Sequence, residues 1–179
     1  MSTSGKTNEI KVLFICIGNS CRSPMAEAIL TSRLEQITKE KNVELCWTVD
    51  SAAIANWNCG YPPEDRCIAV LKENDISTTH IARQISLYDF YAFDYIFGMD
   101  YSNMRDLHER APEDHTAKIE LLCKYDPYNE GIIRDPYFDH GIESFRKCFV
   151  QISRCLDKFI EKKLQIIPNT SLSSSSNSG

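Results

Sequence analysis

The sequence predicts an α/β fold, a three-layer domain with a central twisted, mainly parallel four-stranded sheet flanked by helices and a phosphate-binding loop after the first strand. Three observations carry this expectation. Lys11 to Cys16 reads Lys-Val-Leu-Phe-Ile-Cys, an apolar run of the kind found in strands covered on both sheet faces. A short Gly18-Asn19-Ser20 turn follows, and then Ala26, Ile29, Leu30, Leu34 and Ile37 recur at helical spacing. Further along, strand-like and helix-like stretches alternate, an order that favours parallel strands joined by right-handed crossovers.

Each element has its own signal. Ser23-Pro24 offers an N-cap and a proline at the first helical position. Val43, Leu45, Trp47 and Val49 alternate with Glu44, Cys46 and Thr48, which predicts a second strand with one apolar face. Pro62-Pro63-Glu64 opens a helix through about Asn74. Tyr95 to Met99 predicts a third strand and Ile119 to Leu122 a shorter fourth. Ile142, Phe145, Phe149, Ile152, Leu156, Phe159 and Ile160 mark one stripe of a long amphipathic helix that should cover a sheet face. The expected organisation is a flexible N-terminus over 1–9, one domain over 10–166, and a disordered polar tail over 167–179, where Ser and Asn dominate.

Composition excludes several function classes. A chain of 179 residues is long enough for one domain with a full core and short for two. A net charge of −5 gives no broad cationic field, so no nucleic acid partner is expected. No apolar run approaches the roughly 20 residues needed to cross a bilayer, and the start is polar, so the expectation is no membrane insertion and a cytoplasmic location. The eight cysteines then read as reduced thiols. No Cys-x2-Cys pair occurs and the histidines do not fall near cysteines at zinc-site spacing, so neither a metal nor another cofactor is expected.

The strongest chemical signal is Cys16-Ile17-Gly18-Asn19-Ser20-Cys21-Arg22-Ser23, set between a buried strand and a helix. A short loop at a helix N-terminus turns several backbone N–H groups toward one point and makes a concave anion site. Gly18 and Asn19 suit the left-handed backbone such a curl needs, and the planar fork of Arg22 binds two phosphoryl oxygens. A thiol in the same field ionises more readily, which makes Cys16 the candidate nucleophile with Ser23 as hydrogen-bond donor to the thiolate. Cys21, on the same curl, is placed to trap an oxidised Cys16 as a disulfide, so reversible redox regulation is expected.

In-line displacement at phosphorus needs a second residue to protonate the departing oxygen. Two Asp-Pro-Tyr copies, at Asp126 and Asp135, offer that carboxyl group, and the residues alone do not choose between them.

The loop, followed by Pro24-Met25-Ala26-Glu27, resembles that of the low-molecular-weight protein tyrosine phosphatases. The resemblance continues through Asp50-Ser51-Ala52-Ala53, Ala82-Arg83-Gln84-Ile85, Phe93-Asp94-Tyr95-Ile96, Met99-Asp100 and Ile132-Ile133 ahead of Asp135-Pro136-Tyr137, and covers roughly 10–162. It implies hydrolysis of phosphotyrosine proteins or small aryl phosphates through a cysteinyl-phosphate intermediate, with inorganic phosphate as product and inhibitor. It chooses Asp135 as general acid and base, leaving Asp126 as a structural turn. It nominates Trp57 and Tyr137 as aromatic walls, and His80 and Asp100 as supports of the loop and of Arg22. The chain departs from the family pattern at Phe138, where a second tyrosine is common, which puts regulation by phosphorylation there in doubt. Two other readings compete. A thioredoxin-coupled arsenate reductase shares the loop but needs a cysteine relay, and Phe97 to Ala117 contains no cysteine. A phosphotyrosine-binding inactive phosphatase would not need both Cys16 and Asp135.

Overall fold

The computed structural model describes residues 9–164, so the expectations for the polar tail and for all but the last residue of the N-terminus lie outside the described residues. In chain order the elements are β1 (Ile10–Cys16), α1 (Arg22–Lys41), β2 (Trp47–Ala53), α2 (Asp65–Glu73), α3 (Asp89–Ala92), β3 (Tyr95–Gly98), α4 (Tyr101–Arg110), β4 (Lys118–Leu121) and α5 (Glu143–Leu164). Two single 3-10 turns, Leu122–Tyr125 and Pro136–Phe138, lie between β4 and α5. The four strands form one sheet in the order β2-β1-β3-β4, and every pairing is parallel.

β1 sits inside the sheet because its side chains are apolar on both faces. Val12, Phe14 and Cys16 join a core shared with α1, α2 and α5. Leu13 and Ile15 join a second core with Phe90, Ile96 and Leu107, which brings in α3 and α4. Each face therefore receives every second residue of the strand. On the first face Tyr95, Phe97, Tyr125 and Phe159 interlock, with Phe97 and Phe159 centroids 5.1 Å apart at 84°. Removing a ring as buried as Phe159 would cost about 3–5 kcal/mol.

Several boundaries differ from the sequence expectations. β2 begins at Trp47 because Trp47 lies opposite Ile10, the first residue of β1. Among the described residues Val43 to Leu45 thus have no strand beside them, and Val43 is exposed. α1 starts at Arg22 with Cys21 at its cap and no side-chain capping bond, so Ser23 is not an N-cap and Pro24 is the third helical residue. Proline is tolerated there because first-turn N–H groups have no partner within the helix. β3 stops at Gly98 and β4 occupies Lys118–Leu121, each one residue from expectation. Helices α3 and α4 were not anticipated from periodicity.

The strand order fixes where a site can form. β1 and β3 are neighbours, yet the chain leaves β1 toward one face and β3 toward the other. Between their carboxyl ends lies a crevice of the kind in which open parallel sheets bind ligands. Cys16 ends β1 at that crevice.

Candidate active site

The loop from Cys16 to Arg22 curls because its carbonyls are held from outside. The Cys16 and Ile17 carbonyls accept from Ile54 N and Ala55 N at 3.1 and 2.9 Å, and Ser20 O accepts from Glu64 N at 2.9 Å. Gly18 O accepts from Asn58 Nδ2 at 3.1 Å. In a trans peptide the carbonyl and the following N–H point in opposite directions, so carbonyls drawn outward turn the amides of 17, 18, 19 and 21 toward the centre. The helix dipole of α1 adds its positive end at the same place.

Asn19 is the left-handed residue of the curl, at φ 51°. Gly18 is not, contrary to the sequence expectation; its need for glycine is space, since a Cβ there would lie 2.7 Å from Asn58 Nδ2. Asn19 is fully buried and its amide orientation follows from its partners. Arg83 N, which only donates, lies 3.1 Å from Asn19 Oδ1. The amide nitrogen must then donate to Ser23 Oγ at 2.8 Å and Ser51 Oγ at 2.9 Å. With that bond received, the Ser23 hydroxyl proton is free for Cys16 Sγ, 3.0 Å away.

A further layer holds Asn19. His80 Nε2 lies 2.7 Å from Asn19 Oδ1, and His80 Nδ1 lies 2.9 Å from Glu27 Oε2. Ser51 Oγ donates to the same Glu27 oxygen at 2.6 Å. Thus His80 reaches the Asn19 and Ser23 region through Asn19. Ser51 and Glu27 had not been singled out, although both lie in stretches that carried the family resemblance.

Arg22 is 2% exposed, unusual for arginine, and its Nη1 is fully engaged. Nη1 donates to Asp100 Oδ2 at 2.7 Å and to Ile133 O at 2.8 Å, while Nη2 lies 3.5 Å from Asp135 Oδ2. Burial works against its charge, but Cys16, the Asp100 bond and Asp135 outweigh it and hold the guanidinium above its ordinary pKa. Asp100 also accepts from Asn103 N at 2.8 Å as N-cap of α4. The carbonyl of Ile133 could not have been named from residue types, since any residue carries one.

Asp135 faces Arg22 from the 3-10 turn Pro136–Phe138, its other oxygen accepting from Tyr137 N at 3.1 Å. Arg66, on α2, holds that turn through Nη1 to Asp139 O at 2.8 Å and Gly141 O at 3.0 Å, and through Nη2 to Tyr137 O at 3.2 Å. Its guanidinium also lies 4.4 Å over the Phe145 ring and bonds Glu64. Arg66 was not picked out from sequence, where it is one arginine among many. Asp126, in contrast, is buried and locked by Arg154 at 2.8 and 3.0 Å, which holds its carboxyl below the usual range. It does not line the crevice.

The crevice is about 190 Å³ and is lined by Cys16 to Gly18, Ser20 to Arg22, Trp57, Asn58, Asp135, Tyr137 and Phe138. Trp57 and Tyr137 are 70% and 54% exposed at its mouth, and Phe138 stands edge-on to Tyr137 with centroids 5.4 Å apart. Cys21 is buried on the loop, where desolvation and the nearby Cys16 push its thiol up. A larger groove of about 470 Å³ lies between the acid turn and α5 and does not include Cys16.

The family model described as low molecular weight phosphotyrosine protein phosphatase matches residues 11–167. The pig protein of that name is 43% identical over 153 residues, covering 84% of this chain and 94% of the relative. The Schizosaccharomyces pombe protein of that name is 40% identical over 156 residues, covering 87% and 97%. Among solved structures, DARP, described as a Drosophila arginine phosphatase, matches with a TM-score of 0.78 at 42% identity, covering 86% of this chain and 98% of that one. A low molecular weight phosphotyrosine phosphatase from Vibrio cholerae matches with a TM-score of 0.78 at 27% identity, covering 89% and 99%. Sequence, fold and the arrangement around the loop agree, and the chain belongs to the low molecular weight phosphotyrosine protein phosphatase family.

Proposed function

We propose that this phosphatase hydrolyses phosphotyrosine and small aryl phosphate monoesters in two steps, with Cys16 as nucleophile, Arg22 as phosphate clamp and Asp135 as general acid and base. The observation that carries this reading is the meeting of Cys16 Sγ, the Arg22 fork and the Asp135 carboxylate at one crevice. Cys16 attacks phosphorus as a thiolate, with Ser23 donating to its sulfur, while the amides of the loop and Arg22 take the charge of the equatorial oxygens. Asp135 gives its proton to the departing tyrosyl oxygen. A water then gives a proton to the Asp135 carboxylate and attacks the phosphocysteine, releasing inorganic phosphate and the thiolate.

The rim favours a flat apolar leaving group. Ile17 lines the crevice with Trp57, Tyr137 and Phe138, so an aryl ring gains contact on several sides. Inorganic phosphate, filling the same donors, acts as a competitive inhibitor. The catalytic domain is taken as 10–166, and the reduced thiols that the site requires suit a cytoplasmic location. Among the described residues no helix is long and apolar enough to cross a membrane.

Release of phosphate from a phosphotyrosine peptide tests the proposal. Asp135→Asn should lower turnover about 10²- to 10⁴-fold, most for poor leaving groups, while Asp126→Asn leaves the chemical step intact. The reverse order would overturn the assignment of the acid. A faster release from phosphoarginine than from phosphotyrosine would overturn the substrate class.

A further inference from the structure

Away from the crevice, two thiols lie against each other in the core. Cys123 sits on the 3-10 turn Leu122–Tyr125 and Cys155 on α5. Both are free, Cys155 is fully buried and Cys123 is 7% exposed. Their sulfurs and a carboxylate oxygen of Asp126 fall within 4.8 Å of one another. Gln151 Nε2 donates to Cys123 Sγ at 3.5 Å. The phosphatase mechanism uses none of these groups.

We propose that Cys123 and Cys155 are a second oxidation site, separate from the phosphate loop, which closes to an intramolecular disulfide when the enzyme meets hydrogen peroxide.

The two thiols are unequal in a way that suits this chemistry. Cys123 keeps 7% of its surface exposed and its sulfur accepts from Gln151 Nε2, whereas Cys155 is fully enclosed. The neighbouring Cys155 draws the Cys123 thiol down while burial and the Asp126 carboxylate oppose it. Cys123 is therefore the attacking sulfur. Its thiolate takes one oxygen of peroxide as the O–O bond breaks, giving a sulfenic acid and hydroxide, which takes up the proton that Cys123 lost. Cys155 sulfur then attacks Cys123 sulfur, the S–S bond forms, and the leaving hydroxide takes the Cys155 proton. Two thiols are oxidised by two electrons and one peroxide becomes two waters. The residual exposure of Cys123 and brief local openings admit so small a neutral oxidant.

The same cluster is a poorer metal site. Both oxygens of Asp126 are engaged by Arg154 at 2.8 and 3.0 Å, and a divalent cation would have to displace that guanidinium. A disulfide requires only the two sulfurs. Its product ties the turn after β4 to the middle of α5, beside the rings of Tyr125 and Phe159, and closes a long loop.

The test is peroxide treatment of the folded enzyme, alkylation of remaining thiols, and trypsin digestion without reductant. The segments 119–124 and 155–158, each carrying one cysteine, should appear linked and two hydrogens lighter than their sum, and should separate with dithiothreitol. Saturating inorganic phosphate should slow loss of the Cys16 thiol and leave the rate of this link unchanged. Oxidised wild type should unfold about 5 °C above oxidised Cys155→Ser, with Cys123→Ala as a second control should that variant fold poorly. The proposal is overturned if Cys123 and Cys155 are both alkylated after a dose that consumes Cys16. It is equally overturned if the link forms only in urea, or if Cys123 ends as sulfinic acid.

Discussion

Arg22 shows how much of the site depends on single atoms. Its two terminal nitrogens reach Asp100, Ile133 O and Asp135, so its fork is aligned before any phosphate arrives. A lysine keeps the charge but presents it from one point, so Arg22→Lys should reduce kcat/KM about a hundredfold or more in steady-state assays. Unchanged activity would place the fork elsewhere. Cys16→Ser should lose at least on the order of 10⁴-fold in turnover yet still bind phosphate, because the loop amides are backbone and the hydroxyl is too weak an acid to replace the thiolate. Calorimetric titration with phosphate checks the second half of that statement. The residues at this scale were the most legible in sequence, because Cys16, Arg22 and Ser23 carry side-chain chemistry at a fixed spacing. Asp135 needed the family resemblance, since the duplicate at Asp126 differs only in what surrounds it. Asn58 and the Ile133 carbonyl had no signal at all; the fold alone brings the Asn58 amide to Gly18 O and the Ile133 carbonyl to Arg22.

Elements bring these residues together, and α2 has the widest reach. Its cap residue Glu64 holds the phosphate loop through a backbone bond to Ser20 O, and Arg66, two residues on, holds the carbonyls of the acid turn. Arg66→Lys should therefore lower kcat about tenfold by loosening Asp135, with little change in phosphate affinity, and the loss should grow as the leaving group worsens. A uniform loss for all leaving groups would argue against this route. Element type was legible wherever an apolar period ran long, as in β1 and α5. It was not legible in α3, which is four residues long, or in α4, which buries mainly Asn103 and Leu107 and has too few apolar residues to show a period. The start of β2 was missed for a different reason. Alternation continued upstream to Val43, but a strand ends where its neighbour ends, and that is a property of the pair.

For the whole molecule, the sheet order explains why one chain region supplies the nucleophile and a distant one the acid. Folding must bring the segment after β4 back to the end of β3, where Ile133 N bonds Met99 O, before Arg22 at the start of α1 finds Ile133 and Asp135. Stability in acid should report one part of that closure. Asp126, buried against Arg154, has its folded pKa below the unfolded value near 3.8, so its contribution is fully present above that value and is lost as pH falls through the folded one. Asp126→Asn should cost about 3 kcal/mol near neutrality and should make the acid limb of a stability-versus-pH curve shallower, as followed by urea unfolding. An unchanged acid limb would mean that other carboxylates set it.

Asp100 joins scaffold and chemistry in one side chain, since one oxygen caps α4 and the other holds Arg22. Few replacements satisfy both duties. Asparagine can accept at the helix end, but its other terminal group is then a donor facing a guanidinium; glutamate has the charge but is too long for the cap. A lineage drifting at this position would thus lose robustness and rate in the same step. It could recover neither through a change that mends only one, which makes position 100 a poor place for evolutionary experiment and a good marker of a working enzyme.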